Sequence, residues 1–203
     1  MKLNLKDIQK YLFPLKRLFT KYRPIRSVDQ VKNFIQEQSA QVSQMTLYGY
    51  LKTRMGAKHV IMFEDKDFLN SINIAKWHIY AASLIDCTFF CFSFLYKEKK
   101  IEKIEDANKV FFEILNSEKA NGMILDAYEG ATKEFNSRYP NIDWSNYCNS
   151  KPFEYCCNEL YNWSPIADEL KKLDKKIVIN SMFLKWNNVQ NEFKRLTNKF
   201  NNN

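Results

Sequence analysis

His78, Ser83 and Asp86 are residue types used in nucleophilic and acid–base chemistry, and they fall within nine positions of one another. On one helix Ser83 would stand between the other two, whereas a catalytic triad needs the histidine to bridge serine and carboxylate. No serine has the GxSxG spacing of a nucleophile elbow. The geometry expected instead is a buried polar site. Asp86 is the one carboxylate in the least polar stretch, Ile79 to Tyr96, so it must be paired with a cation or kept neutral by a raised pKa. Arg54 is the expected partner, because it follows Tyr48 and Leu51 on a helix expected to pack nearby and its planar fork suits a carboxylate. Tyr48, Arg54, His78, Ser83 and Asp86 together form the candidate polar site, and a pocket of that composition near Asp86 and Arg54 would belong to a small-molecule-binding protein or an enzyme, the alternative to a non-enzymatic helical protein.

Metal and cofactor chemistry find little support. The five cysteines, Cys87, Cys91, Cys148, Cys156 and Cys157, include no CxxC pair, and their odd number suits a reducing compartment. Cys87 and Cys91 are spaced to share a metal, but only His59 and His78 are available to complete its ligands. The cysteines are expected to fill core space. No phosphate loop, dinucleotide fingerprint or HExxH is present, and no cofactor is expected.

The element that must carry Asp86 is a helix over about 65–97. It lies in the longest run without Gly or Pro, and Ser71, Ala75, His78, Ala82, Asp86 and Ser93 follow steps of three, four or seven along one narrow line. Phe89 interrupts that line. Nearly everything else beyond Trp77 is apolar, so the helix must be surrounded by protein or by lipid. Ile79 to Tyr96 is as long as a short membrane span, yet Asp86 near its middle would cost roughly 2.5 to 3.5 kcal/mol there. Burial among other helices is the expectation.

With 4 Gly and 5 Pro in 203 residues, turns are few and elements long. Helical spacing recurs throughout, which predicts an all-α fold: a single-domain irregular bundle, 27–200, around the long central helix. A helix is expected from Ser27 or Asp29 to Gly56, with Gly49 permitting close approach of another backbone or a ligand. Others are expected over Glu105 to Ser117, over Met123 to Tyr139, after Ser150, after Ser164, and from about Lys175 along Ile179, Met182, Phe183, Trp186, Val189, Phe193 and Leu196. The irregular aromatic segment 141–164 reads as a lid over the core.

The formal charge of +8 is unevenly placed. Residues 1–26 carry eight basic side chains against Asp7, a balance of +7, and the remaining 177 residues carry +1. Leu5, Ile8, Leu12, Leu15 and Phe19 form an apolar stripe among Lys6, Lys10, Lys16 and Arg17, which predicts a basic amphipathic arm interrupted at Pro14. Such an arm docks on an anionic membrane surface or lays its apolar face in a groove of a protein partner. No uninterrupted apolar core follows the basic N-terminus, so no secretory signal is expected. The expected location is cytoplasmic, peripheral to an inner membrane. Tyr48, Tyr50, Lys52, Arg54, Lys58 and His59 also mix aromatic and cationic groups as nucleic-acid binders do. With arginine scarce and the body nearly neutral, only weak, non-specific nucleic-acid binding is expected.

The run LYGYLKTRMG, followed by FED and AKWHIYAASLIDC, resembles a group of small uncharacterised helical proteins of alphaproteobacteria over about a third of the chain. The resemblance implies a bacterial helical protein and carries no function.

Overall fold

A computed structural model describes residues 24–56 and 64–200, and every regular element in that range is helical. The order is α1 (Val28–Met55), α2 (Lys66–Lys97), α3 (Glu105–Ala120), α4 (Leu125–Arg138), 3-10 turns at Tyr139–Asn141 and Tyr147–Asn149, α5 (Glu154–Trp163), α6 (Asp168–Leu196) and a last 3-10 turn at Thr197–Lys199. The arm, including Lys6, Lys10, Leu12, Lys16, Arg17 and Phe19, lies outside the described residues, as do Lys58 and His59.

Local signals fix the two long helices at the centre. Ser27 caps α1 by accepting from the Gln30 N–H, and Gly56 ends it with φ of 53°, a conformation that costs glycine little. Asp65 caps α2 by accepting from the N–H groups of Asp67 and Phe68. With no Gly or Pro inside it, α2 runs for 32 residues as the axis of the fold. It is long and apolar enough to cross a membrane, yet 89% of its most apolar 18-residue window is buried within the protein. Helices α1, α3, α4 and α5 surround it, and α6 reaches it where Phe193 meets Phe90 and Phe94, each at 5.9 Å.

The second half of the chain departs from expectation in three places. Ser150 starts no helix; its hydroxyl donates to the Tyr147 carbonyl, and α5 begins at Glu154. Ser164 closes α5, donating to the Leu160 carbonyl, instead of opening α6. Helix α6 starts at Asp168, well before Lys175, with Asp168 and Glu169 suitably placed against the positive end of its dipole. Its first ten residues escaped the core pattern because their apolar side chains, Leu170, Leu173 and Ile177, are exposed. The core line begins at Val178 rather than Ile179, and Phe183 is only half-buried.

Gly49 does not serve a close approach among the described residues, since a Cβ placed there would meet nothing within 4 Å.

Candidate functional site

Asp86 has no exposed surface, and three donors converge on it. Arg138, the last residue of α4, donates from Nη2 to Oδ1 at 2.8 Å. The Tyr147 hydroxyl, from the second 3-10 turn, lies 3.2 Å from the same oxygen and 2.8 Å from the Pro152 carbonyl. The Cys156 N–H donates to Oδ2 at 2.8 Å.

Cys156 is the third residue of α5, and Phe153 gives that helix no side-chain cap. Asp86 therefore supplies from α2 the acceptor that an N-cap residue ordinarily supplies from within the sequence, and its charge faces the positive end of the α5 dipole. One turn further along the polar line of α2, and then another, Ser93 repeats the device. Its Oγ accepts from the Cys148 N–H and donates to the Trp144 carbonyl, both at 2.9 Å. The polar line is thus where the lid's backbone finds its hydrogen bonds.

The electrostatics follow from enclosure. Burial pushes the Asp86 carboxyl up, against the opposing pull of Arg138 and the Cys156 amide. Burial works most strongly to lower the Arg138 pKa, but Asp86, Tyr147 and Glu134 together outweigh it and the guanidinium holds its proton more tightly than usual. Tyr147 is raised by burial and by Asp86. Phe89 and Tyr155 lie on the guanidinium at 5.2 and 4.9 Å, and cation–π attraction adds to the hold. The apparent break in the polar line at Phe89 is therefore part of the site.

Arg54 is not the partner of Asp86. It binds Asp174 through Nε and the Leu170 carbonyl through Nη2, fastening the end of α1 to the start of α6. Tyr50 joins the same carboxylate at 3.1 Å, and burial with Asp174 pushes its hydroxyl up to about 12. Ser83 is also elsewhere: its hydroxyl accepts from Ser43 on α1 at 2.9 Å. Tyr48 packs against the core, and its hydroxyl is raised by burial. His78 stacks on Trp163 at 3.5 Å and 3°, with Nε2 3.2 Å from exposed Asp126 but not in hydrogen-bonding geometry. Of the five expected site residues, only Asp86 is in the site.

Sequence spacing missed Arg138, Tyr147 and Cys156. The available signal was position: Arg138 ends the helix that leads, through Pro140, into the aromatic lid. A second buried network also went unread. Lys76 on α2 is 3% exposed and lowered to about 8 by burial, with Glu118 opposing the shift. Glu118 in turn accepts from Tyr80 at 2.9 Å and from Gln36. Cys87 and Cys91 sit with sulfurs 4.0 Å apart, and no cluster of metal-ligating side chains occurs among the described residues.

Beside the Asp86 site, Ser137, Arg138, Asn141, Ile142, Asp143, Asn146, Tyr147 and Ser150 line a cleft of about 550 Å³. Arg138 and Tyr147 are shared between the cleft and the Asp86 site, and Nη1 of Arg138 is buried without a partner among the described residues.

The fold and site define an all-α bundle whose central helix caps its own lid. Comparison of the chain with protein-family models, with curated proteins and with solved structures finds no match.

Proposed function

We propose that this is a non-enzymatic helical protein, cytoplasmic and held at an anionic membrane surface by its basic N-terminal arm. The observation that carries the reading is the charge division: +7 in residues 1–26, interleaved with an apolar stripe, against +1 in all the rest. The non-enzymatic part is supported by how the reactive residue types are used. Asp86 is saturated by three donors, Ser83 is bonded to Ser43, and His78 lies under Trp163. Each is occupied in packing. Among the described residues next to the arm, Ile25 is buried between exposed Pro24 and Arg26.

The test is co-sedimentation of the full chain with phosphatidylserine-containing vesicles. Replacing Lys6, Lys10, Lys16 and Arg17 together by Glu is expected to abolish binding, and salt is expected to weaken that of the unaltered chain. Equal binding by the two forms overturns the reading.

The cleft beside Arg138 favours a second reading, a binder of a small polar molecule. Its test is a nuclear magnetic resonance screen of small polar fragments. Shifts confined to Ser137, Asn141 and Asn146, with vesicle binding absent, would put this reading first.

A further inference from the structure

Of the seven large apolar side chains left exposed among the described residues, four lie on α6: Leu170 at 44%, Leu173 at 75%, Ile177 at 71% and Leu184 at 66%. At 100° per residue they fall within about 60° of one another. The opposite side carries Val178, Met182, Trp186, Val189 and Phe193 into the core. A fifth exposed side chain, Met45 on α1, shares a cleft of about 290 Å³ with Lys185 and Asn188, beside the Leu184 end of the stripe. A contiguous apolar face on a helix whose other side already fills the core is the pattern of a surface that meets a partner.

The borders of the stripe decide which partner fits. Glu169 and Lys176 stand on one side and Asp174 and Lys185 on the other, an acid and a base within about 90° of the middle line on each. Balanced borders favour neither an anionic nor a cationic surface. The charges are nonetheless ordered along the helix: Glu169 and Asp174 flank the Leu170 end, and Lys185 flanks the Leu184 end. Asp174 is bound by Arg54, whereas Glu169 and Lys185 take part in no ion pair among the described residues.

The apolar positions have a matching order. Leu170 and Leu184 stand seven residues on either side of Ile177. An antiparallel second copy of α6, related by a two-fold axis at Ile177, therefore sets Ile177 on Ile177 and each Leu170 on the other copy's Leu184. The same axis sets Leu173 level with Ser181, whose hydroxyl already donates to the Val178 carbonyl at 2.7 Å. On the Asp174 border it carries each Lys185 to within five residues' rise, about 7.5 Å along the axis, of the other copy's Asp174. Lys176, at the middle of the other border, is exposed, and its long stem lets the ammonium turn into water. A parallel pair would instead bring Glu169 toward the other copy's Asp174, like charge against like.

We infer that the Leu170, Leu173, Ile177 and Leu184 face of α6 is a docking surface for a second copy of this chain, the two helices antiparallel about Ile177. Four side chains with Met45 beside them make a small interface, so the pair is reversible, with a dissociation constant of roughly 10⁻⁶ to 10⁻⁴ M. The inference does not depend on the membrane reading, because it concerns the chain free of lipid.

The test is sedimentation equilibrium of the full chain without lipid, at concentrations spanning that range. The unaltered chain is expected to pass from monomer to dimer. Ile177→Glu, which sets two carboxylates face to face on the axis, is expected to raise the dissociation constant roughly tenfold or more with helical circular dichroism unchanged. Register is read with a short bis-maleimide, for which the buried native cysteines are poor targets. Ile177→Cys is expected to cross-link to itself; Leu170→Cys is not, but an equal mixture of Leu170→Cys and Leu184→Cys is. A chain that stays monomeric throughout, or a dimer that Ile177→Glu leaves intact, overturns the inference. Leu170→Cys cross-linking to itself as readily as to Leu184→Cys shows parallel pairing and overturns it as well. A monomeric chain that binds phosphatidylserine vesicles and is released by Ile177→Glu assigns the face to lipid, which also overturns it.

Discussion

Arg138 and Asp86, 52 residues apart in sequence, meet at 2.8 Å between Nη2 and Oδ1, the carboxylate fully enclosed and the guanidinium partly exposed. The pair joins the end of α4 to the middle of α2. Because Asp86 also receives the Cys156 amide, one carboxylate ties the end of α4 to the start of α5.

Removing Asp86 strands a cation and uncaps α5. Asp86→Ala is expected to cost about 3 to 5 kcal/mol, the usual range for breaking a buried pair. Arg138→Met should likewise destabilise strongly, and the double variant should lose less than the sum of the two. Arg54→Met combined with Asp86→Ala should show no such coupling, since Arg54 is bound to Asp174. Urea melts of these four variants and of Arg54→Met alone decide it, and coupling to Arg54 rather than Arg138 would refute the pairing.

Ser93→Ala leaves the Cys148 N–H and the Trp144 carbonyl without their partner. The expected loss is about 1 to 3 kcal/mol, as for other buried polar groups left unsatisfied. Hydrogen exchange at the Cys148 amide should accelerate more than at amides within α1. Uniform change across the chain would mean the lid is not held locally.

For His78, burial lowers the pKa, while Asp126 and Glu159 oppose the shift. A histidine harder to protonate folded than unfolded leaves the unfolded chain with more protons below its ordinary value of about 6.5. Its contribution to stability is therefore complete above about pH 6.5 and declines as pH falls below that, until the folded pKa is passed. Urea midpoints between about pH 7.5 and 5 should converge for the unaltered chain and His78→Gln as the medium becomes acid. Parallel curves would show that His78 titrates normally.

Gly49 sits on an exposed face of α1 with open space where a Cβ would go. Gly49→Ala is expected to raise stability by about 0.5 to 1 kcal/mol. A thermal or urea melt suffices, and a loss would reveal a contact at that position.

The helices themselves were legible because their signals are local. Ser27, Gly56 and Asp65 mark boundaries by their own chemistry, and the scarcity of Gly and Pro leaves α2 unbroken. That Asp86 would be buried was also legible, from the apolar residues around it. Its partner was not, because pairing is decided by which helix ends arrive at the same place. Arg54 and Arg138 look alike in sequence, and only the path of the lid distinguishes them. Ser150 misled for a related reason: the acceptor serving the start of α5 stands on another helix, so α5 begins without a cap of its own. The exposed start of α6 stayed hidden because its apolar stripe lies opposite the residues that enter the core.

The hydrogen bond from Ile25 to Leu196 has a topological meaning as well. It brings the first and last turns of the domain together, so the packed helices form a closed circuit with a single covalent gap. A chain reopened at the exposed turn Asn121–Gly122 and rejoined by a short linker between residues 200 and 24 would present the same helices to the same neighbours, because no core element is cut. The order in which the helices are threaded is thus separable from the architecture they build.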